Sequence, residues 1–221
     1  MMAEMRKTVI VAISVLALFS VSAVAIVQFN MPKEYNYFKE LYNPPTNSIK
    51  FFNRDQINLY ISLNENRHDE IVGFYSRFTK SRAIAESIIK NAIHYKMPVN
   101  LAFALSYVES RFNPRAVNIN TDGSVDRGLF QLNNSYRQNW KTKDFFNVEL
   151  NVREGIRYWI TECNIKERTI PITFIAYNMG PYSESAITST IPRRRAEYIG
   201  DILSYEDMLN VEFNLFMETM E

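Results

Sequence analysis

A chain of 221 residues with 47% hydrophobic side chains can hold one moderate domain plus extensions, with enough apolar mass to fill a core. Twenty-five Lys and Arg against 24 Asp and Glu leave a formal net charge of +1, so no global field draws the chain toward nucleic acid. Six Gly and eight Pro disfavour a many-turned all-β or low-complexity chain, and the single Cys163 excludes an intrachain disulfide framework and a cysteine-built zinc site.

Arg6 and Lys7 precede an uncharged stretch from Thr8 to Val27, about long enough to span a bilayer as a helix. The basic pair would stay inside, while Ala23-Val24-Ala25 also fits the small-x-small pattern before a cleavage site. Residues 1–30 read as a membrane helix that anchors the chain or as a cleaved signal peptide, and both readings export the rest. Residues 31–64 are irregular, aromatic and polar, broken by Pro44-Pro45, and read as a linker with one short helix against the main domain.

Helical periodicity takes over across 65–221. It predicts helices over Asp69–Thr79 and Arg82–Tyr95, the latter with Ile84, Ile88 and Tyr95 along one stripe. Pro98 breaks the chain before a third helix, Val99–Ser110, whose apolar positions Leu101, Leu105, Val108 and Phe112 step by four, three and four. Asp122-Gly123 marks a tight turn inside the polar stretch 118–126, where a small hairpin is expected. Helices resume over Asn151–Cys163, with Cys163 at core spacing. Another runs from Thr169 as N-cap, with Pro171 in its first turn, to Gly180-Pro181. A last one covers Arg195–Glu218, with Tyr198, Ile202, Tyr205, Leu209, Phe213 and Phe216 on one side. The run Arg193-Arg194-Arg195 reads as a solvated turn or helix end. His68 and His94 fall on different helices without a Glu at ligand spacing, so no metal or other cofactor is expected.

The chemistry concentrates where the third helix meets the polar loop. Breaking a glycosidic bond needs a protonated acid at the leaving oxygen and a base or nucleophile to complete the reaction. Glu109 lies in the last turn of its helix, where the negative end of the dipole disfavours ionisation, and Leu105, Val108 and Phe112 are placed to desolvate it. Both effects keep a carboxyl proton available near neutrality.

Three ordered motifs surround it: Glu109-Ser110 with Asn113-Pro114, then Gly128-Leu129-Phe130-Gln131, then Ala176-Tyr177-Asn178-Met179-Gly180-Pro181. Together, over about residues 80–210, they resemble the soluble-lytic-transglycosylase-like family. For this mainly α domain with its small β-hairpin the resemblance implies a lysozyme-like fold with a groove for peptidoglycan glycan strands, and the N-terminal segment would then set it at the periplasmic side of the inner membrane. It implies that Glu109 protonates the bond between N-acetylmuramic acid and N-acetylglucosamine. The same carboxylate would then deprotonate the muramoyl 6-hydroxyl to close a 1,6-anhydro ring. It also implies a cleft floor shaped by Gln131, a Tyr177 hydroxyl aimed at Glu109 or substrate, and Asn178 bracing that turn. Nine residues after the acid the family often has Ser; here Asn118 stands there, and an amide can still bond an acetamido group. Near the end the family's Glu-Thr pair before a Tyr is replaced by Arg193-Arg194-Arg195-Ala196-Glu197 before Tyr198, leaving open whether Glu197 or Arg194 meets substrate.

The segment from Glu109-Ser110 through Asn118, Asn120, Asp122-Gly123-Ser124, Asp126, Gly128 and Gln131-Leu132-Asn133 also resembles the centre of animal c-type lysozymes. Those enzymes pair a Glu with an Asp seventeen residues later, the spacing of Glu109 and Asp126 here. A retaining mechanism needs two carboxyl groups roughly 5–5.5 Å apart, a rule whose type case is lysozyme itself. Asp126 could therefore stabilise oxocarbenium charge, act as nucleophile, or pin the hairpin. The expected site is thus Glu109 and Asp126 as catalytic residues, with Ser110, Asn118, Gln131, Asn133, Tyr177 and Asn178 binding substrate. A hydrolase using both carboxylates and a non-enzymatic glycan-binding envelope protein are the alternatives.

Overall fold

The computed structural model describes residues 54–164, 168–189 and 191–220. The expected membrane segment and the first part of the expected linker lie outside these residues. Among the described residues no helix is long and apolar enough to cross a membrane.

The described chain is mainly helical with one small sheet. Helix α1 (Arg54–Leu63) and a single 3-10 turn (Glu65–Arg67) lead into α2 (His68–Thr79), α3 (Arg82–Tyr95) and α4 (Val99–Ser110). Strands β1 (Val117–Ile119), β2 (Val125–Arg127) and β3 (Leu132–Asn133) follow. Then come α5 (Thr142–Phe145), α6 (Val148–Tyr158), α7 (Ile170–Met179), α8 (Glu184–Ile187) and the long α9 (Arg193–Glu218). Local chemistry sets several boundaries. The Ser81 hydroxyl accepts from the Ile84 N–H to open α3, and left-handed Lys80, Lys96 and Arg111 close α2, α3 and α4.

Helix α4 is the axle of the fold. The periodic reading gives it a single apolar stripe, yet every residue from Val99 to Ser106 is buried. The reason is that α1, α3 and α9 pack around it from different sides. Its polar members are paired. Tyr75 donates to Asn100 Oδ1 (2.6 Å), and Asn100 Nδ2 donates to Asn210 Oδ1 (2.8 Å), stitching α2, α4 and α9 together. Around this link Tyr75 stacks on Phe103 with ring centroids 4.3 Å apart, and Phe74 and Phe213 meet edge to face at 5.3 Å.

Helix α1, within the stretch read as linker, belongs to the same packed body. Ile57 and Ile61 are buried, and the Asn58 side chain bonds the Met97 carbonyl and the Val99 N–H. Arg54 pairs through both guanidinium arms with Glu206, which is fully buried on α9. On the opposite flank Glu149 of α6 accepts from Ser87 (2.8 Å) and Lys90 (2.9 Å) of α3.

The sheet is antiparallel in the order β1-β2-β3, turning at Asp122-Gly123 as expected, with Gly123 at φ +83°. Strand β3 was not expected from the sequence. Its register places Asn118 opposite Asp126 and Asp126 opposite Asn133, so three side chains form one row across the sheet. Buried Asn151 of α6 fastens the turn between β2 and β3: its Oδ1 accepts from Phe130 N, and its Nδ2 donates to the Arg127 and Phe145 carbonyls. The helix read as Asn151–Cys163 starts earlier, at Val148. It continues past Tyr158 as a π-helical segment, Trp159–Cys163, that ends on buried Cys163.

Candidate active site

A cleft of about 380 Å³ opens between the end of α4, the sheet and the end of α7. Glu109, Asp126, Gln131, Asn133, Tyr177 and Asn178 all line it, so the structure gathers six of the eight expected site residues around one space. Two do not line it. The Ser110 side chain is buried and its hydroxyl donates back to the Ser106 carbonyl (3.0 Å), because one helical step turns it away from Glu109. Asn118 is exposed on edge strand β1, and the cleft is met instead by Asn120, two residues on.

Glu109 is half-buried one residue before the end of α4. Arg111 and Phe112, at φ 55° and 59°, follow in consecutive left-handed conformations that swing the chain from the helix toward the sheet. Burial raises the Glu109 carboxyl from 4.5 to about 7. A hydrogen bond from Tyr198 works against that rise, and the Asp126 charge adds to it. The Tyr198 hydroxyl donates to Glu109 Oε1 at 2.5 Å, reaching it from α9. Tyr198 does not line the cleft, so it holds the acid without facing the space beside it.

Tyr177 does line the cleft, but its hydroxyl donates to the Phe130 carbonyl (2.8 Å) and not to Glu109. Of the two expected targets for that hydroxyl, Glu109 is not met: Tyr198 serves Glu109, and Tyr177 ties α7 to the turn that carries Gln131. Burial, with the Glu109 charge next, holds both tyrosine hydroxyls protonated well above their ordinary value, so neither is a base near neutrality. Asn178 was expected to brace its turn. Its Oδ1 is buried and makes no hydrogen bond among the described residues, which leaves that acceptor at the cleft wall. Gln131, itself left-handed at φ 45°, anchors its amide on the Gly128 carbonyl (2.8 Å).

Asp126 is held by amides. Asn120 donates to Oδ2 at 2.9 Å, Asn133 to Oδ1 at 2.7 Å and Asn118 to Oδ2 at 3.4 Å. Both carboxylate oxygens are thus engaged within the sheet while the group still faces the cleft. Asn133 is doubly used, since its Oδ1 accepts from Ser135 N (2.8 Å). Glu197 is exposed and does not line the cleft. Residue reading missed the part of Tyr198, which stood out as the first member of the last helix's apolar stripe. It also missed Tyr136, Arg137 and Tyr158, which complete the cleft wall.

The arrangement offers one protonated, desolvated carboxyl and one fixed carboxylate facing a polar trough, the chemistry that cleavage of a sugar–sugar bond requires. Comparison with known proteins agrees. Residues 86–197 match the family described as Transglycosylase SLT domain. Lysozyme-like protein 6 of Homo sapiens is 56% identical over 32 residues, 14% of this chain and 22% of that protein. Its namesake from Bos taurus is 59% identical over 32 residues, with the same shares. The chain thus spans about a fifth of the length of these curated relatives. No solved structure matches. With the family match reaching from α3 to the residue before Tyr198, about half of the chain, this protein belongs to the transglycosylase SLT domain family of lysozyme-like, glycan-cleaving enzymes.

Proposed function

We propose that the chain is a lytic transglycosylase that cleaves the β-1,4 bond between N-acetylmuramic acid and N-acetylglucosamine in peptidoglycan and leaves 1,6-anhydromuramoyl ends. The observation that carries this reading is the division of labour between the two carboxyl groups: burial raises Glu109 to about 7, so it keeps a proton toward neutrality, while Asp126 has both oxygens bound by asparagine amides. A nucleophile needs a lone pair pointed at the anomeric carbon. Three asparagine amides occupy three of the roughly four acceptor sites of the Asp126 carboxylate and hold it within the sheet, which favours stabilisation through space over bond formation.

In this mechanism Glu109 gives its proton to the bridging oxygen as the C1–O bond breaks. Positive charge develops on the muramoyl ring, and the fixed Asp126 carboxylate stabilises it through space. The Glu109 carboxylate, now accepting from Tyr198, takes the proton of the 6-hydroxyl while O6 bonds to C1. No water is consumed, and Glu109 returns to its starting state. Export to the periplasmic side of the inner membrane, through the N-terminal apolar segment, would bring the enzyme to its substrate.

Mass spectrometry of digested peptidoglycan tests the reading. Ends lighter by one water than reducing ends are expected, and reducing ends alone would make the enzyme a hydrolase. One observation favours that second reading, namely that Asp126 faces the same cleft at lysozyme spacing. Asp126→Ala separates the two: turnover within about a hundredfold of the parent, with anhydro products, is expected for electrostatic help alone. Abolished turnover in a folded variant would assign Asp126 as nucleophile.

Tyr198→Phe gives a distinct signature. Loss of the donor that lowers the Glu109 value moves the alkaline limb of the kcat–pH profile upward from about 7. The carboxylate formed in the first step also loses a partner, so kcat falls by about tenfold. An unmoved limb would show that Tyr198 does not tune the acid.

A further inference from the structure

Arg137 is the one cation among the described residues lining the cleft, where it stands with the acids Glu109, Asp122 and Asp126. It follows the short 3-10 turn Asn134–Tyr136 that leaves β3. Its Nη1 donates to the neighbouring Tyr136 carbonyl (3.1 Å), while Nε and Nη2 are buried with no hydrogen-bond partner. The carboxylate of Glu154 lies 4.0 Å from Nη2, too far for a hydrogen bond, and it is engaged elsewhere: Arg157 approaches it at 2.9 Å and Arg153 at 3.3 Å. One acidic group thus serves three guanidiniums. The rings of Tyr158 and Trp140 lie 5.7 and 5.9 Å from the Arg137 guanidinium carbon, which steadies the charge without accepting its in-plane N–H groups.

A guanidinium fork with unpaired donors is a group waiting for a planar acceptor, and a carboxylate matches it bidentately. Sharing the cleft lining with Asp122 and Asp126, it also offsets the repulsion that an anionic ligand would meet there. A trough for an uncharged sugar strand has no need of such a cation. The side chain lines the cleft and is 14% exposed, so part of the group is within reach of a ligand there.

We propose that Arg137 forms a carboxylate subsite that reads an acidic substituent on the glycan strand. Two sources supply that chemistry: the free lactyl carboxylate of muramic acid in peptide-free strands, and the carboxylates of an attached peptide. The inference rests on the glycan-strand reading above.

Equilibrium binding to the full-length chain tests it, with Glu109→Gln introduced so that ligands stay intact. The probes are neutral chitotetraose, a peptide-free muramoyl tetrasaccharide and a peptide-bearing one, each acidic probe compared with its amidated twin. At least one acidic probe is expected to bind about tenfold tighter than its twin, and whichever does so identifies the source. Adding Arg137→Gln is expected to erase that ratio, so that each acidic probe and its amidated twin bind alike. Equal binding of both acidic probes and their twins, with Arg137 intact, overturns the subsite without any variant at that position. A ratio that survives Arg137→Gln assigns the recognition to another group and overturns it too. If chitotetraose and the muramoyl probes all fail to bind, the glycan-strand reading itself has failed, which is a different result.

Discussion

Glu109→Gln is expected to lower glycan cleavage by about a thousandfold or more, and at the same time to make the protein more stable above neutral pH. On the proposed mechanism the first effect follows from the loss of the proton that Glu109 delivers to the bridging oxygen. The amide can still accept from Tyr198, so the geometry of the cleft survives while the acid does not. The second effect follows from linkage. Burial raises the carboxyl from 4.5 to about 7, so between these values the folded chain holds a proton that the unfolded chain has released. Stability from this group is complete below pH 4.5 and is lost as pH rises through 7, about 3 kcal/mol in all. Glutamine does not titrate, so the variant lacks that decline and exceeds the parent by up to about 3 kcal/mol at pH 8. Urea denaturation at pH 4.5 and pH 8 measures the difference, and parallel behaviour of the two proteins would show that Glu109 is not desolvated.

Gly128→Ala is expected to destabilise the fold by about 3–5 kcal/mol, lowering the melting temperature by roughly 10 °C and disordering the Gln131 turn. Gly128 sits at φ +80°, and an added Cβ would stand 2.3 Å from Asn151 Nδ2 and 2.4 Å from the Phe145 carbonyl oxygen. Neither neighbour can retreat easily, because Asn151 spends its side chain on three backbone groups around that turn. Gly123 supplies the control. It has the same left-handed backbone at φ +83° but open space around it, so Gly123→Ala is expected to cost only about 1 kcal/mol of strain. Thermal melts of the two variants separate crowding from conformation, and equal losses would refute the crowding argument.

Much of the helical frame was legible because its punctuation is local. Ser81 and Pro98 bound α3 and α4, and Gly180 closes α7. Asp122-Gly123 marks the hairpin for the same reason. Strand β3 was not legible: two residues carry no alternation, and they pair only because Asn151 draws the turn back against β2. One short helix against the main domain was expected within residues 31–64, but the bounds of α1 were not legible because its anchors, Met97, Val99 and Glu206, lie far along the chain from Asn58 and Arg54.

Within the site, the gathering of Glu109 and the motif residues Gln131, Tyr177 and Asn178 around one cleft was legible by type and order, and their hydroxyl and amide partners were not. Whether Tyr177 or Tyr198 meets Glu109 depends on how α7 and α9 cross α4, and no spacing in the sequence encodes that crossing. Ser110 shows the converse: adjacency to Glu109 in sequence places it on another face of the helix. Arg137 was silent because an arginine beside a turn ordinarily points to water, and only the shortage of carboxylates around Glu154 makes it notable.

The bond from Tyr198 to Glu109 spans 89 positions of sequence. The group that steadies Glu109 therefore emerges from the ribosome after Glu109 itself, on the last helix among the described residues. A growing or truncated chain that already carries all three motifs still lacks this support. Glu109 thus gains its hydroxyl partner only once the helix that carries Tyr198 has packed back against α4.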